Sequence, residues 1–445
     1  MWTDSLGNPL GLKHPGSLDG VNDFVEGFIS SQARVVNILD TAAADDAPLV
    51  QAYAAALHMF AETHLASANA RPFLDKALAS PLQPTPRERS FIGAVQAWVD
   101  GDVLRTTDVL EQHVSDYPRD LVALKLAHYH LFNLGDSPGM LRLALTCLPA
   151  ARDVAYLHGM LAFGWEQCHL LEQAEASARL AMAMEPTDPW AHHALAHVML
   201  TQGRLHEGHH FLREVSGSWV GLNSFMVTHN WWHQALFALE LGRHDEVLSL
   251  YDCQVWGVAK DYSQDEVNAV SLLARLELAG VDVGDRWQDL ADHLVQHVAD
   301  QVLPFLDMQY LYGLARADRP QADQLLRNIE AHAAQVAPGL QHAWQRVCVP
   351  ASRGLLAHAR GEWQRAVDGI GQAMPRLNDI GGSHAQRGLF AQLHLDALIR
   401  SGHLAAAQNI IQPQLRGQPE SLRLKQQAAT VYEGLGLGSI AARLG

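Results

Sequence analysis

Strand signals are nearly absent from this 445-residue sequence. No stretch alternates apolar and polar residues between hairpin turns, which excludes a sheet-built domain. Cysteine is scarce. Cys147, Cys168, Cys253 and Cys348 lie far apart and form no CxxC pair. A thiolate zinc site therefore has no spacing to support it, and the four read as reduced, mostly buried thiols of a cytosolic protein. Basic charge is in deficit, with 32 Lys and Arg against 48 Asp and Glu, a net charge of −16. Non-specific nucleic-acid binding needs a basic surface, so nucleic acid is not expected as a partner. No apolar run is long enough to span a bilayer. The opening MWTDSLGNPLGLKHPG carries no basic segment ahead of an apolar one, so neither a signal peptide nor a membrane partner is expected. A cytoplasmic location follows. Nucleotide and hydrolase motifs are missing too: there is no GxxxxGK[ST] and no GxSxG, and the glycines at 434, 436 and 438 follow no strand.

What the chain has is helix. Ala, Leu, Gln, Glu and Arg dominate, apolar residues recur at three and four, and Gly, Pro or Asp breaks the pattern at regular intervals. The helices repeat. From Ala155 to about Asp188, Ala162 and Trp165 sit in a first helix, Ala174, Ala178 and Ala181 in a second, and Pro186 closes the unit. This is the tetratricopeptide (TPR) spacing, a helix-turn-helix of about 34 residues. The small first-helix residue recurs at Ala94, Ala127, Ala162, Ala196 and Ala235. Gly101 and Gly242 take the inter-helix turn, and Pro118 and Pro186 the closing position.

The expected fold is all-α, a right-handed α-solenoid of degenerate TPR-type repeats that can curl around its own groove. The expected organisation is one body over 1–445. Residues 1–22 form an irregular arm, 48–377 the repeats and 378–445 the C-terminal repeats. An opening helix is predicted over Tyr53–Leu65 and a closing one over Leu422–Leu435.

Several polar blocks depart from ordinary TPR sequences. They are Met1-Trp2-x-Asp4, Ala123-Leu124-Lys125-x-x-His128, the run Pro186 to His197, His229 to Leu236, Tyr251-Asp252, Val281 to Asp289, and Gly381 to Phe390. With these collinear blocks the chain resembles the tetratricopeptide repeat protein 38 family, also called StaR-like. The resemblance implies a helical-repeat fold. It leaves the biochemical role open, with secondary-metabolite tailoring as one enzymatic reading.

Histidine is plentiful, at 25 residues. His193 and His197 are four apart in one first helix, and His229 and His233 four apart in the next, so each pair shares a helix face. In a TPR array the first helices line the concave groove. His193 and His197 occupy the fifth and ninth places of their repeat, and His229 and His233 the second and sixth of theirs. These are the places from which TPR proteins contact ligands. His128, at a ninth place, points the same way, and Glu166 and Asp307 also take groove-facing places. Asn230 reads either as an orienting amide or as a helix-start residue.

Three readings fit this set. The histidines hold helices in register, or they line a pocket for a small molecule or peptide terminus, with Trp231, Trp232, Trp190 and Tyr156 as apolar walls. In the third they hold a divalent transition metal such as Zn, Fe or Cu. The metal reading opens a metal-dependent or acid–base enzyme, and the first reading a plain interaction scaffold. HExxH is absent, which excludes a zincin-type protease. The turn Gly381-Gly382-Ser383 predicts a helix capped by Ser383, with Arg387 either holding an anion or forming a salt bridge. His206, His209 and His210 are expected on a solvated face, and Arg286-Trp287 in inter-repeat packing.

Overall fold

The computed structural model describes residues 2–444; Met1, part of the first polar block, and Gly445 lie outside the described residues. A short antiparallel pair, β1 (Trp2–Thr3) and β2 (Pro9–Leu10), opens the chain. Everything else is helix and turn.

Two compact units emerge from the pattern of contacts. The first holds Met1–Leu195 and Ser218–Met226. It begins with α1 (Ser17–Ser30) and α2 (Ile38–Ala44). Four helix pairs follow: α3 and α4 (Pro48–Met59, Ala66–Ala79), α5 and α6 (Pro86–Val99, Val103–Asp116), α7 and α8 (Leu121–Asn133, Ser137–Ala151), α9 and α10 (Ala155–Gln167, Leu171–Met184). The division between units passes through one continuous helix, α11 (Pro189–Thr201), after Leu195.

The second unit holds Ala196–Gly217 and Val227–Gly445. It contains α12 (Leu205–Val215), α13 (Ser224–Glu240) from Val227 on, α14 (His244–Leu250) and α15 (Ser263–Leu278). Then come α16 (Arg286–Leu294), α17 (Pro304–Arg316), α18 (Gln321–Gln335), α19 (Val349–Ala359) and α20 (Trp363–Ala373). The last are α21 (His384–Arg400), α22 (Leu404–Gly417), α23 (Leu422–Gly434) and α24 (Gly438–Ala441).

Local chemistry explains the helix boundaries. Thr85 and Glu88 form a capping box at the start of α5, and Asp102, Asp120 and Asp136 cap the next three helices. Each cap satisfies a helix-end N–H and contributes about 1 kcal/mol. Gly101 and Gly242 turn the chain with φ of +81° and +71°, values that favour glycine. Ala94, Ala127, Ala162, Ala196 and Ala235 are all fully buried in first helices, as the repeat frame requires. Between α19 and α20 even alanine is too large: a Cβ on Gly354 would sit 2.5 Å from the Ile370 nitrogen.

Departures from the sequence expectations have physical causes. The arm of residues 1–22 is irregular only to Gly16, because Ser17 already starts α1. It is held within the first unit by Arg87 Nη2 and Arg119 Nε, which donate to the carbonyls of Pro9 (3.1 Å) and Leu6 (2.6 Å). The opening helix starts at Pro48 and ends at Met59, before Glu62 at φ +55°. Of the four thiols Cys147 and Cys348 are buried, Cys168 is half-buried and Cys253 is exposed.

In the second unit the C-terminal helices return to the start of their own unit. Gln418 Nε2 donates to the Leu200 carbonyl at 2.7 Å. Arg423 Nε donates to Glu240 Oε1 at 2.8 Å, and Ser421 Oγ donates to the other Glu240 oxygen. Arg423 and Glu240 are both buried. Among the described residues no helix is long and apolar enough to cross a membrane.

Candidate functional site

The structure first separates the polar blocks by what they do. Lys125 donates from Nζ to the carbonyls of Phe28 (2.7 Å) and Ile29 (3.2 Å) and to Ser31 Oγ (2.8 Å). Asp188 caps α11 by accepting from the Trp190 and Ala191 amides at 2.9 and 3.3 Å. Arg286 clasps both carboxylate oxygens of Asp252, and Trp256 Nε1 donates to Asp289 at 2.6 Å. Ser383 and Gln386 form a capping box at the start of α21. These residues fix turns, caps and helix pairs.

The remaining blocks gather imidazoles. α11 carries His193 and His197 one turn apart, and α13 carries His229 and His233 in the same relation. Their rings approach closely: His197 and His233 have centroids 4.4 Å apart, His229 and His233 4.9 Å. One ring nitrogen from each of His197, His229 and His233, all of the second unit, lies within 4.8 Å of the others. These three rings and His193 are each at most 2% exposed. His384 at the start of α21 adds a fifth ring, 5.5 Å from His197, and its Nε2 lies 3.3 Å from Thr201 Oγ1.

Helix α15 supplies the polar support. His229 Nδ1 lies 3.0 Å from the amide oxygen of Asn268. That oxygen only accepts, so His229 donates from Nδ1 and presents Nε2 as its lone-pair nitrogen. Burial holds His229 down to about 3, the Asn268 bond opposing, so the ring is neutral at neutral pH. Neutral imidazole is the form that ligates metal, and a hydrogen bond on the second nitrogen is the usual orienting device. Thr228 is fixed in turn by Asp265. Trp232 packs its indole against His229 (5.1 Å) and His233 (4.9 Å), and Arg275 lies 5.5 Å from the same ring.

The other expected residues lie on several different helices. His128 donates from Nε2 to the Met140 carbonyl, 2.9 Å away, and burial lowers it to about 4; it joins α7 to α8 within the first unit. Glu166 is buried in α9 of that unit and accepts from Gln167 Nε2 at 2.6 Å. Asp307 is buried in α17, and neither carboxylate oxygen has a hydrogen-bond partner among the described residues. Arg387 Nη1 donates to the Gly381 and Gly382 carbonyls. Asn230 is buried in the second turn of α13 and does not start the helix, since Asn223 Oδ1 takes the Met226 amide at 2.9 Å. His209 is buried against Glu246 at 2.8 Å, whereas His210 is solvated. Tyr156 lines a separate cavity of about 410 Å³ in the first unit, beside Arg119, Glu26 and Glu185.

Sequence reasoning missed Asn268, Arg275 and His384. Asn268 and Arg275 lie seven apart on α15, one helix face. That spacing inside a buried apolar helix was the available signal.

No family model matches the chain. Solved structures of similar fold include the human IFIT1 dimer with PPP-AAAA, 11% identical over 95% of this chain and 93% of that one, with a TM-score of 0.44. A monomeric IFIT1 mutant with Gppp-AAAA is 12% identical over 89% of both chains, TM-score 0.40. A Naa15/Naa10 complex bound to HypK-THB is 12% identical over 96% of this chain and 68% of that one, TM-score 0.26. The exclusion of nucleic acid as a partner is corrected at this point. IFIT1 is described with PPP-AAAA and Gppp-AAAA, and a net charge of −16 does not describe any one part of the surface.

Proposed function

We propose that the chain is a TPR-like binding protein whose bound species sits at the histidine cluster and includes a divalent transition-metal ion, zinc, iron or copper. The observation that carries this reading is the grouping of three buried imidazole nitrogens of the second unit, from His197, His229 and His233, within 4.8 Å. The donor set fits the ion: imidazole suits Zn, Cu and Fe, and the His229 ring is neutral and oriented. His197, His229 and His233 would hold the ion, which supplies Lewis-acid character to whatever small molecule or peptide end it meets. The two histidine blocks are also among those by which the sequence resembles the tetratricopeptide repeat protein 38 family.

A second reading, a metal-dependent enzyme, draws on His384. It is only half-buried, beside His197 and bonded to Thr201, where a general acid–base would stand.

The test uses protein purified without a His-tag or chelating column. Elemental analysis before and after incubation with Zn, Fe(II) or Cu is expected to give near-stoichiometric ion, and the loaded protein to melt higher. His197→Ala and His233→Ala are expected to abolish the metal-dependent rise. Because both rings are buried, the variants also melt lower without metal, so the rise and not the absolute Tm decides. A parent that holds no ion and gains no stability from any of the three sinks the reading.

A further inference from the structure

Three arginines of the chain are buried among the described residues: Arg87, Arg275 and Arg423. Two have a carboxylate. Arg87 pairs with Asp120 at 2.5 Å, and Arg423 with Glu240 at 2.8 Å. Arg275 has none. Its guanidinium donates to the carbonyl and hydroxyl of Ser271 and to the Ala385 carbonyl at 2.8 Å, and it lies over the Trp232 indole. These contacts are neutral. A buried cation without a counter-charge is strongly disfavoured, and proteins normally compensate it.

The neighbouring charges act on Arg275 without touching it and in opposite senses, Arg423 against its charge and Glu240 in favour. Glu240 is committed to Arg423 and Ser421. The start of α21, whose Ala385 carbonyl meets Arg275, adds the positive end of a 17-residue helix. A second, independent observation lies on the same ring: Trp232 Nε1 is buried and has no acceptor among the described residues. Buried indole N–H groups usually find an acceptor. A cation lacking an anion and a donor lacking an acceptor therefore meet at Trp232, which also touches His229 and His233.

We propose that the small molecule bound beside the histidines is a carboxylate, seated against Arg275 and the Trp232 N–H. One guanidinium and one indole N–H match the two oxygens and single charge of a carboxylate. A phosphate dianion would bring a second charge with no partner. The inference rests on the reading that a small molecule binds at the cluster, but it uses residues that the metal reading does not.

The test measures thermal melts of the full chain with acetate and benzoate against chloride, sulfate and phosphate at equal ionic strength. The same samples are assayed for metal. Acetate or benzoate is expected to raise the Tm of the parent, and the other anions are not. Arg275→Met removes the lone buried charge and is expected to melt at or above the parent while gaining nothing from carboxylate. Should that variant not fold, Arg275→Lys keeps the charge but loses the planar fork, and is expected to need about tenfold more carboxylate for the same rise. A parent indifferent to carboxylate, a parent equally stabilised by phosphate, or Arg275 variants that respond like the parent would each overturn the proposal. Metal bound without a carboxylate effect overturns this proposal and leaves the cluster reading standing. A carboxylate effect in metal-free protein does the reverse.

Discussion

Asn268 reaches across from α15 to hold His229, with its amide oxygen 3.0 Å from Nδ1. The bond fixes which nitrogen of His229 carries the proton and turns Nε2 towards ligand duty. It joins residues 39 apart in sequence, so the orientation of the ring is a property of packing between α13 and α15.

The first prediction follows from that bond. Asn268→Ala is expected to weaken zinc binding about 10–100-fold, the usual effect of removing a group that orients a metal-bound imidazole. Competition against a chromophoric chelator measures it. Ser352→Ala, at another buried polar position of the same unit, is the control and should leave affinity unchanged. Equal affinity in the Asn268 variant would separate the histidines from any metal role.

A second prediction concerns the first unit. Asp120 accepts from both Arg87 and His113, at 2.5 and 3.1 Å, and all three are buried. Burial works against its charge, yet the His113 bond and the Arg87 charge hold the carboxyl well below the ordinary 3.8. The folded value is depressed, so the stabilisation is present above the unfolded value and is lost as pH falls below it. Asp120→Asn strands the Arg87 charge and is expected to destabilise the protein by about 3–5 kcal/mol near neutrality. Urea melts at neutral pH and under acid conditions check both points: the gap between parent and variant should narrow in acid.

The third prediction separates Asp307 from the cluster. Its carboxyl has no hydrogen-bond partner among the described residues, and burial, with Asp300 adding to it and His297 opposing, pushes it well above 3.8. A raised folded value means the native state holds the proton longer than the unfolded chain. Stability then falls as pH rises above the unfolded value. Asp307→Asn removes that dependence and is expected to raise the Tm at neutral pH without changing metal content. A variant that loses metal instead would return Asp307 to the site.

The sequence by itself determined the helices and their faces. Periodic apolar residues, small residues at the crossings and glycines at left-handed turns are local or nearly local requirements, and so Ala94, Ala127, Ala162, Ala196 and Ala235 fell where the frame put them. The two i, i+4 pairs were legible for the same reason, since spacing along a helix fixes direction around its axis. Tertiary structure decided which of those directions meet. His128 has the same groove-facing register as His197, yet a carbonyl of its own repeat takes its ring. Arg275 meets Ala385 across 110 residues, and Ser421 meets Glu240 across 181. Spacing within one helix carries no information about such partners, because they depend on how far the solenoid of the second unit turns before its end meets its beginning. The Asn268 bond arises between α13 and α15, and Arg275 meets the Ala385 carbonyl where the later helices return.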